Sequence, residues 1–199
     1  MDILLSFLLA SIIFTLFPGP DLLMVLSLSL KRGYLKGIIF SFGLIAGLFL
    51  HTLLLFLGWD IFIGDNIIFI KTVKILGSIY FLFLSITVLL NRKKIYNESI
   101  SPNSKFFISG LIMNVLNPKV SLFFWSFFPS FIFTESFNIS TQYLILGSVF
   151  ITQAIFIFSF LAFIVDTFSV KFHNVKNKDF INYFQSLLFL ILSIYVFQS

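Results

Sequence analysis

Long apolar runs alternate with short polar stretches along the chain, at about 3–30, 37–58, 67–90, 106–132, 142–166 and 181–198. Each run is continuous rather than alternately apolar and polar, so the pattern predicts helices and excludes the strands of a membrane barrel. About 20 residues carry a helix across the hydrocarbon core, and every run reaches or approaches that length, 181–198 being the shortest. The expected fold is an all-α integral membrane protein with six transmembrane helices. The first run is not a cleaved signal peptide, because it is too long, lacks a basic start and carries Pro18-Gly19-Pro20 where a cleavage site needs small residues.

The stretch 91–105 is the only long polar one. It divides a single transmembrane domain, 1–199, into a first repeat of about 1–90 and a second of about 106–199, with three spans in each. Three is an odd number, so the second set enters the membrane inverted relative to the first. Many transporters are built on such inverted repeats.

Composition fixes the solvent. Hydrophobic residues make up 59% of the 199 and charged residues only 11%, against about 25% charged in soluble domains. The 31 phenylalanines follow from a lipid surrounding that accepts any apolar residue, and no aromatic function is read into them. Cysteine is absent, which removes disulfides, thiolate metal sites and iron–sulfur clusters, and with them a membrane redox carrier. The net charge of +5 reports orientation rather than nucleic-acid binding. Ten basic residues gather in three connections: Lys31, Arg32 and Lys36; Arg92, Lys93, Lys94 and Lys105; Lys171, Lys176 and Lys178. Two spans separate each group from the next, so connections 31–36, 91–105 and 167–180 are expected to share the cytoplasmic side of the membrane, with both termini outside.

Candidate chemistry sits at two interruptions of the apolar pattern. Pro18, Gly19 and Pro20 near the middle of span one remove backbone donors and helix preference, and Asp21 follows directly. Broken backbone in a bilayer is tolerated only inside protein or along a cavity. A plain kink would need only one proline. The second interruption is Asn114…Asn117-Pro118-Lys119 near the middle of span four, where Gly110, Asn114, Asn117 and Ser121 share a helical face. Asn114 and Ser121 suit interhelical contact as well as a ligand role.

Lys119 is the sharpest residue. A lysine at the bilayer centre costs about 2.5–3.5 kcal/mol on insertion scales and marks a pathway or counter-ion, with a structural ion pair as the competing reading. Asp21 and Lys119 are 98 positions apart, as are Pro20 and Pro118. An inverted repeat brings both breaks to the midplane, so the two charges are expected to face one cavity and to pair when it is empty. An amino acid would set its carboxylate on Lys119 and its ammonium on Asp21, with half-helix N-termini adding positive potential.

Gly43, Gly47 and His51 lie on one stripe of span two. The glycines suit close helix packing within the chain or in a homodimer. His51 is either a proton shuttle or, more simply, a polar bond to a neighbouring helix. Gln153, with Thr152, is a weaker polar candidate in span five, and Ser78 and Ser85 are ordinary helix contacts. No HExxH, GxSxG or P-loop pattern occurs. No enzyme, metal or cofactor is expected, and uphill transport would run on an ion gradient.

These motifs together resemble those of the lysine exporter (LysE/RhtB) family of small six-helix amino-acid exporters. The likeness rests on Pro18-Gly19-Pro20-Asp21, then Gly33, Gly37, Gly43 and Gly47, then Lys74-Ile75-Leu76-Gly77-Ser78-Ile79-Tyr80, then Gly110…Asn114…Leu116-Asn117-Pro118-Lys119 with Phe123-Phe124, Phe127, Pro129 and Phe131. It covers residues 3–132. The resemblance implies export of amino acids or related small metabolites, driven by the proton gradient. Rival readings are export of another small solute or cation, and a non-transporting membrane assembly subunit.

Overall fold

The computed structural model describes residues 2–17, 19–58, 67–90, 105–167 and 178–198. Regular structure among the described residues is helical throughout: α1 (Asp2–Leu16), α2 (Pro20–Arg32), α3 (Tyr34–Gly58), α4 (Ile67–Leu90), α5 (Phe106–Val115), α6 (Pro118–Phe127) with a 3₁₀ turn at Phe128–Phe131, α7 (Ile139–Thr167) and α8 (Lys178–Gln198). Connections 91–104 and 168–177, with most of the basic residues placed there, and Pro18 lie outside the described residues.

The two expected breaks are present. α1 and α2 meet at a bend of 56°, and α5 and the α6 segment at 50°. Among the described residues, three helices are long and apolar enough to cross a membrane unbroken, and up to five crossings result if each bent pair counts as one. The sixth expected span, 181–198, falls in α8, of which the apolar stretch Phe189–Gln198 is the part described in every side chain.

The surface is inside out relative to a soluble protein. Leu35, Phe49, Leu54, Phe83, Phe156 and Phe160 stand exposed around the outside, where lipid replaces water. Polar side chains such as Ser29, Thr52, Ser126 and Gln142 are buried, because a hydroxyl or amide in hydrocarbon must find a partner within the protein. Several bond back to the preceding turn of their own helix: Ser29 to the Val25 carbonyl at 2.8 Å and Thr52 to that of Leu48 at 2.9 Å.

Glycines set how closely the helices approach. A Cβ on Gly43 would strike the backbone of α5 at Phe107, and one on Gly110 would strike the backbone of α3 at Phe40. α3 and α5 therefore cross main chain to main chain. Gly47 lies against the Asn114 side chain, so the whole stripe on α3 is occupied within one chain rather than left for a second copy. α3 also packs on α2 and α7, α7 on α1, and α4 on α6 and α8. The α4–α8 contact is a serine ladder. The Ser78 and Ser193 hydroxyls lie 3.2 Å apart and those of Ser85 and Ser186 2.9 Å apart.

Candidate functional site

Each break is built by a cap followed by a proline. Gly19 caps α2 in an extended conformation, its N–H donating to the Phe17 carbonyl at 2.7 Å, and Pro20 opens the helix. At α6 Asn117 is the cap and Pro118 opens the helix. The first position of a helix has no hydrogen bond for its N–H to make, so the missing donor of either proline costs nothing there. The charged residue comes next in both cases, Asp21 in α2 and Lys119 in α6.

Asn117 joins the two breaks. Its Oδ1 accepts the Lys119 backbone N–H at 3.0 Å, and its Nδ2 donates to both oxygens of Asp21, at 3.1 and 3.0 Å. An oxygen facing an N–H and an amide facing a carboxylate fix the orientation, since a flipped amide would satisfy neither. Asp21 is the acidic residue in the first turn of α2, where the helix dipole favours it.

Lys119 is only 6% exposed. Its Nζ lies 4.4 Å from the ring centre of Phe14, 5.4 Å from that of Phe17 and 5.8 Å from that of Phe189. Gly19 leaves room for it: a Cβ there would sit 3.1 Å from Nζ. The direct Asp21–Lys119 pair expected from the sequence is not formed among the described residues. Asp21 holds the Asn117 amide, Lys119 rests among rings, and the two charges act on each other through space.

Both charges line one buried cavity with Thr15 and Asn114, closed by apolar walls that include Phe14, Leu48, Val120 and Phe150. Its volume is about 20 Å³, room for roughly one water molecule. Sites for small molecules span roughly 300–1,000 Å³, so the cavity as it stands is too small for an amino acid. Asn114 is buried, and its Oδ1 has no hydrogen-bond partner.

Of the residues expected at the site, Asp21, Asn114 and Lys119 line the cavity, and Gly19 and Asn117 touch those charges directly. Pro20 and Pro118 begin the helices that carry them. His51 stands behind the cavity, its Nε2 3.4 Å from the Asn114 carbonyl. That carbonyl also accepts the Asn117 backbone N–H at 3.1 Å, and His51 adds a contact from α3 to α5. Gln153 donates to Thr15 Oγ1 at 2.8 Å and ties α7 to α1. Phe14, Phe17 and Phe189 were not legible as site residues among 31 phenylalanines. The one available signal was that Phe14 and Phe17 fall within the last turn before Pro18.

A family model described as LysE type translocator matches residues 12–199. The chain belongs to that family. The match runs well past residue 132, where the likeness of individual motifs ends, and takes in α7 and α8. Among curated relatives of this LysE type translocator, the uncharacterized membrane protein YrhP of Bacillus subtilis (strain 168) is 29% identical over 204 residues, covering 96% of this chain and 95% of its own. The leucine efflux protein of Enterobacter sp. (strain 638) is 27% identical over 182 residues, covering 87% and 83%. That of Salmonella choleraesuis (strain SC-B67) is 28% identical over 177 residues, covering 87% and 82%. No solved structure matches. The protein is thus a multi-pass membrane translocator rather than an enzyme.

Proposed function

We propose that this translocator exports neutral, apolar amino acids or closely related small metabolites across the bacterial inner membrane, by alternating access around the cavity between the broken helices. The observation that carries the reading is the pair of opposite charges, Asp21 and Lys119, on one buried cavity with apolar walls. A zwitterion matches both charges and adds none. A cationic side chain would bring an uncompensated charge to the bilayer centre, where it is costly. The substrate carboxylate meets Lys119 and its ammonium meets Asp21 and the unpartnered Asn114 Oδ1. Its side chain lies toward Phe14, Leu48 and Phe150. The leucine efflux relatives support an apolar amino acid.

Six spans in two inverted repeats suit this mechanism. The helix contacts support that arrangement: α3 packs on α5 as α7 packs on α1, while α3 meets α7 and α4 meets α8. The serine ladder has the same form. Ser78 and Ser186 are 108 positions apart, as are Ser85 and Ser193, and each serine bonds the counterpart of the other, as a two-fold contact requires. Lys31 and Arg32 in the last turn of α2 favour a cytoplasmic end there. Proton coupling follows if Asp21 takes a proton as the substrate ammonium leaves. The cavity is complete within one chain.

Cells loaded with dipeptides release free amino acids, and the wild-type protein speeds release of one or a few apolar ones. Lys119→Ala abolishes the increase, by about tenfold or more. Export that survives Lys119→Ala would turn the reading toward a cation or another solute.

A further inference from the structure

Opposite charges in a small low-dielectric cavity attract strongly and ordinarily close into an ion pair. Here each has a neutral keeper instead. Both oxygens of Asp21 accept from Asn117 Nδ2, and the Lys119 ammonium lies over Phe14 with Phe17 and Phe189 on other sides. The rings are themselves held. Phe14 stacks on Phe123 with centres 3.8 Å apart, Phe17 packs on Phe189 at 4.4 Å, and Phe189 lies parallel to Phe81 at 6.3 Å. A π face attracts an ammonium, increasingly so when desolvated, yet less than a carboxylate does. It is a holder that a substrate carboxylate can outbid.

We propose that Phe14, Phe17 and Phe189 are positioning residues that park Lys119 away from Asp21, so that a zwitterionic substrate meets two open charges instead of a closed ion pair. The substrate part of this proposal rests on the amino-acid reading above; the parking itself does not. A closed pair would have to be broken for every substrate bound, whereas the parked lysine need only leave a weaker contact. The cage also draws α8 into the site, since Phe189 comes from that helix while Phe14 lies in the last turn of α1 and Phe17 sits in the break.

The test replaces Phe14 by mono-, di- and trifluorophenylalanine in the full-length protein. Fluorine drains the π face and leaves the ring's shape nearly unchanged, so a merely structural role would not respond in steps. A membrane-permeant carbodiimide then joins Asp21 to Lys119 wherever the two touch, and the cross-linked peptide is quantified by mass spectrometry. The expected result is a low yield in the wild type that climbs with each fluorine, by about threefold in all, and climbs further in Phe14→Leu. A yield that stays level across the series, or is already high in the wild type, overturns the parking. For the exported amino acid, the apparent KM should rise along the same series; an unchanged KM overturns the substrate part. The cross-link needs no substrate. If the wild type exports no amino acid, the function reading falls while the cross-link series still decides whether the rings hold the lysine.

Discussion

Asn117 uses one amide for two purposes, as the N-cap of α6 and as the hydrogen-bond donor to Asp21. Removing it leaves a buried carboxylate without the N–H its two oxygens share, a bond of the charged kind worth about 1.5–3 kcal/mol. Asn117→Leu is therefore expected to cut transport by about tenfold or more in a liposome assay, with the protein still present in the membrane. Because Asp21 and Lys119 have different keepers, exchanging them does not preserve the site. Asp21→Lys with Lys119→Asp puts an ammonium against an amide donor and a carboxylate among π faces. The double exchange should be as inactive as either single variant, and recovery would instead point to a direct pair. At this scale the sequence disclosed which residues matter more readily than what they touch. A lysine and an aspartate after prolines in apolar runs stand out on their own. That Asn117 would hold Asp21, or that Phe189 would reach Lys119 across 70 positions, depends on how α2, α6 and α8 pack.

Helices were legible wherever one physical cue dominated. The runs 67–90 and 106–132 begin where α4 and α5 begin, and the two breaks fall at the prolines expected to cause them. Within span four, however, Gly110 and Asn114 were grouped with Asn117 and Ser121 on one continuous face. The break separates them: Gly110 meets α3 in α5, whereas Ser121 in α6 donates to the Asn117 carbonyl at 3.3 Å. The tightest element contact, α3 on α5, was visible only as a glycine spacing. Its mutual form, Gly43 facing the α5 main chain and Gly110 facing that of α3, required the fold. Backbone on backbone leaves no flexible side chain to move aside. Gly110→Val is expected to destabilise the protein by about 1–3 kcal/mol or more, seen as a lower Tm in detergent and reduced accumulation in the membrane. An unchanged Tm would mean that the two helices can separate at little cost.

For the whole molecule, the bilayer explains both the apolar coat and the polar seams. Without hydrocarbon outside, Phe49 or Phe160 would be a liability; with it, the drive to associate comes from close packing and interhelical hydrogen bonds instead. The serine ladder between α4 and α8 is one such seam, and it crosses from the first half of the sequence to the second. Its consequence concerns assembly rather than transport. A fold whose two halves carry matching surfaces does not need the peptide linking them in order to find the right partner. Fragments 1–96 and 97–199, made as separate polypeptides in one cell, should meet through that ladder and through the α3–α5 crossing to restore export. Ser85→Ala with Ser186→Ala should weaken the reunion of the fragments far more than it weakens the intact chain, where the linker keeps the halves at high effective concentration. Co-purification of a tagged fragment with its untagged partner reads this directly.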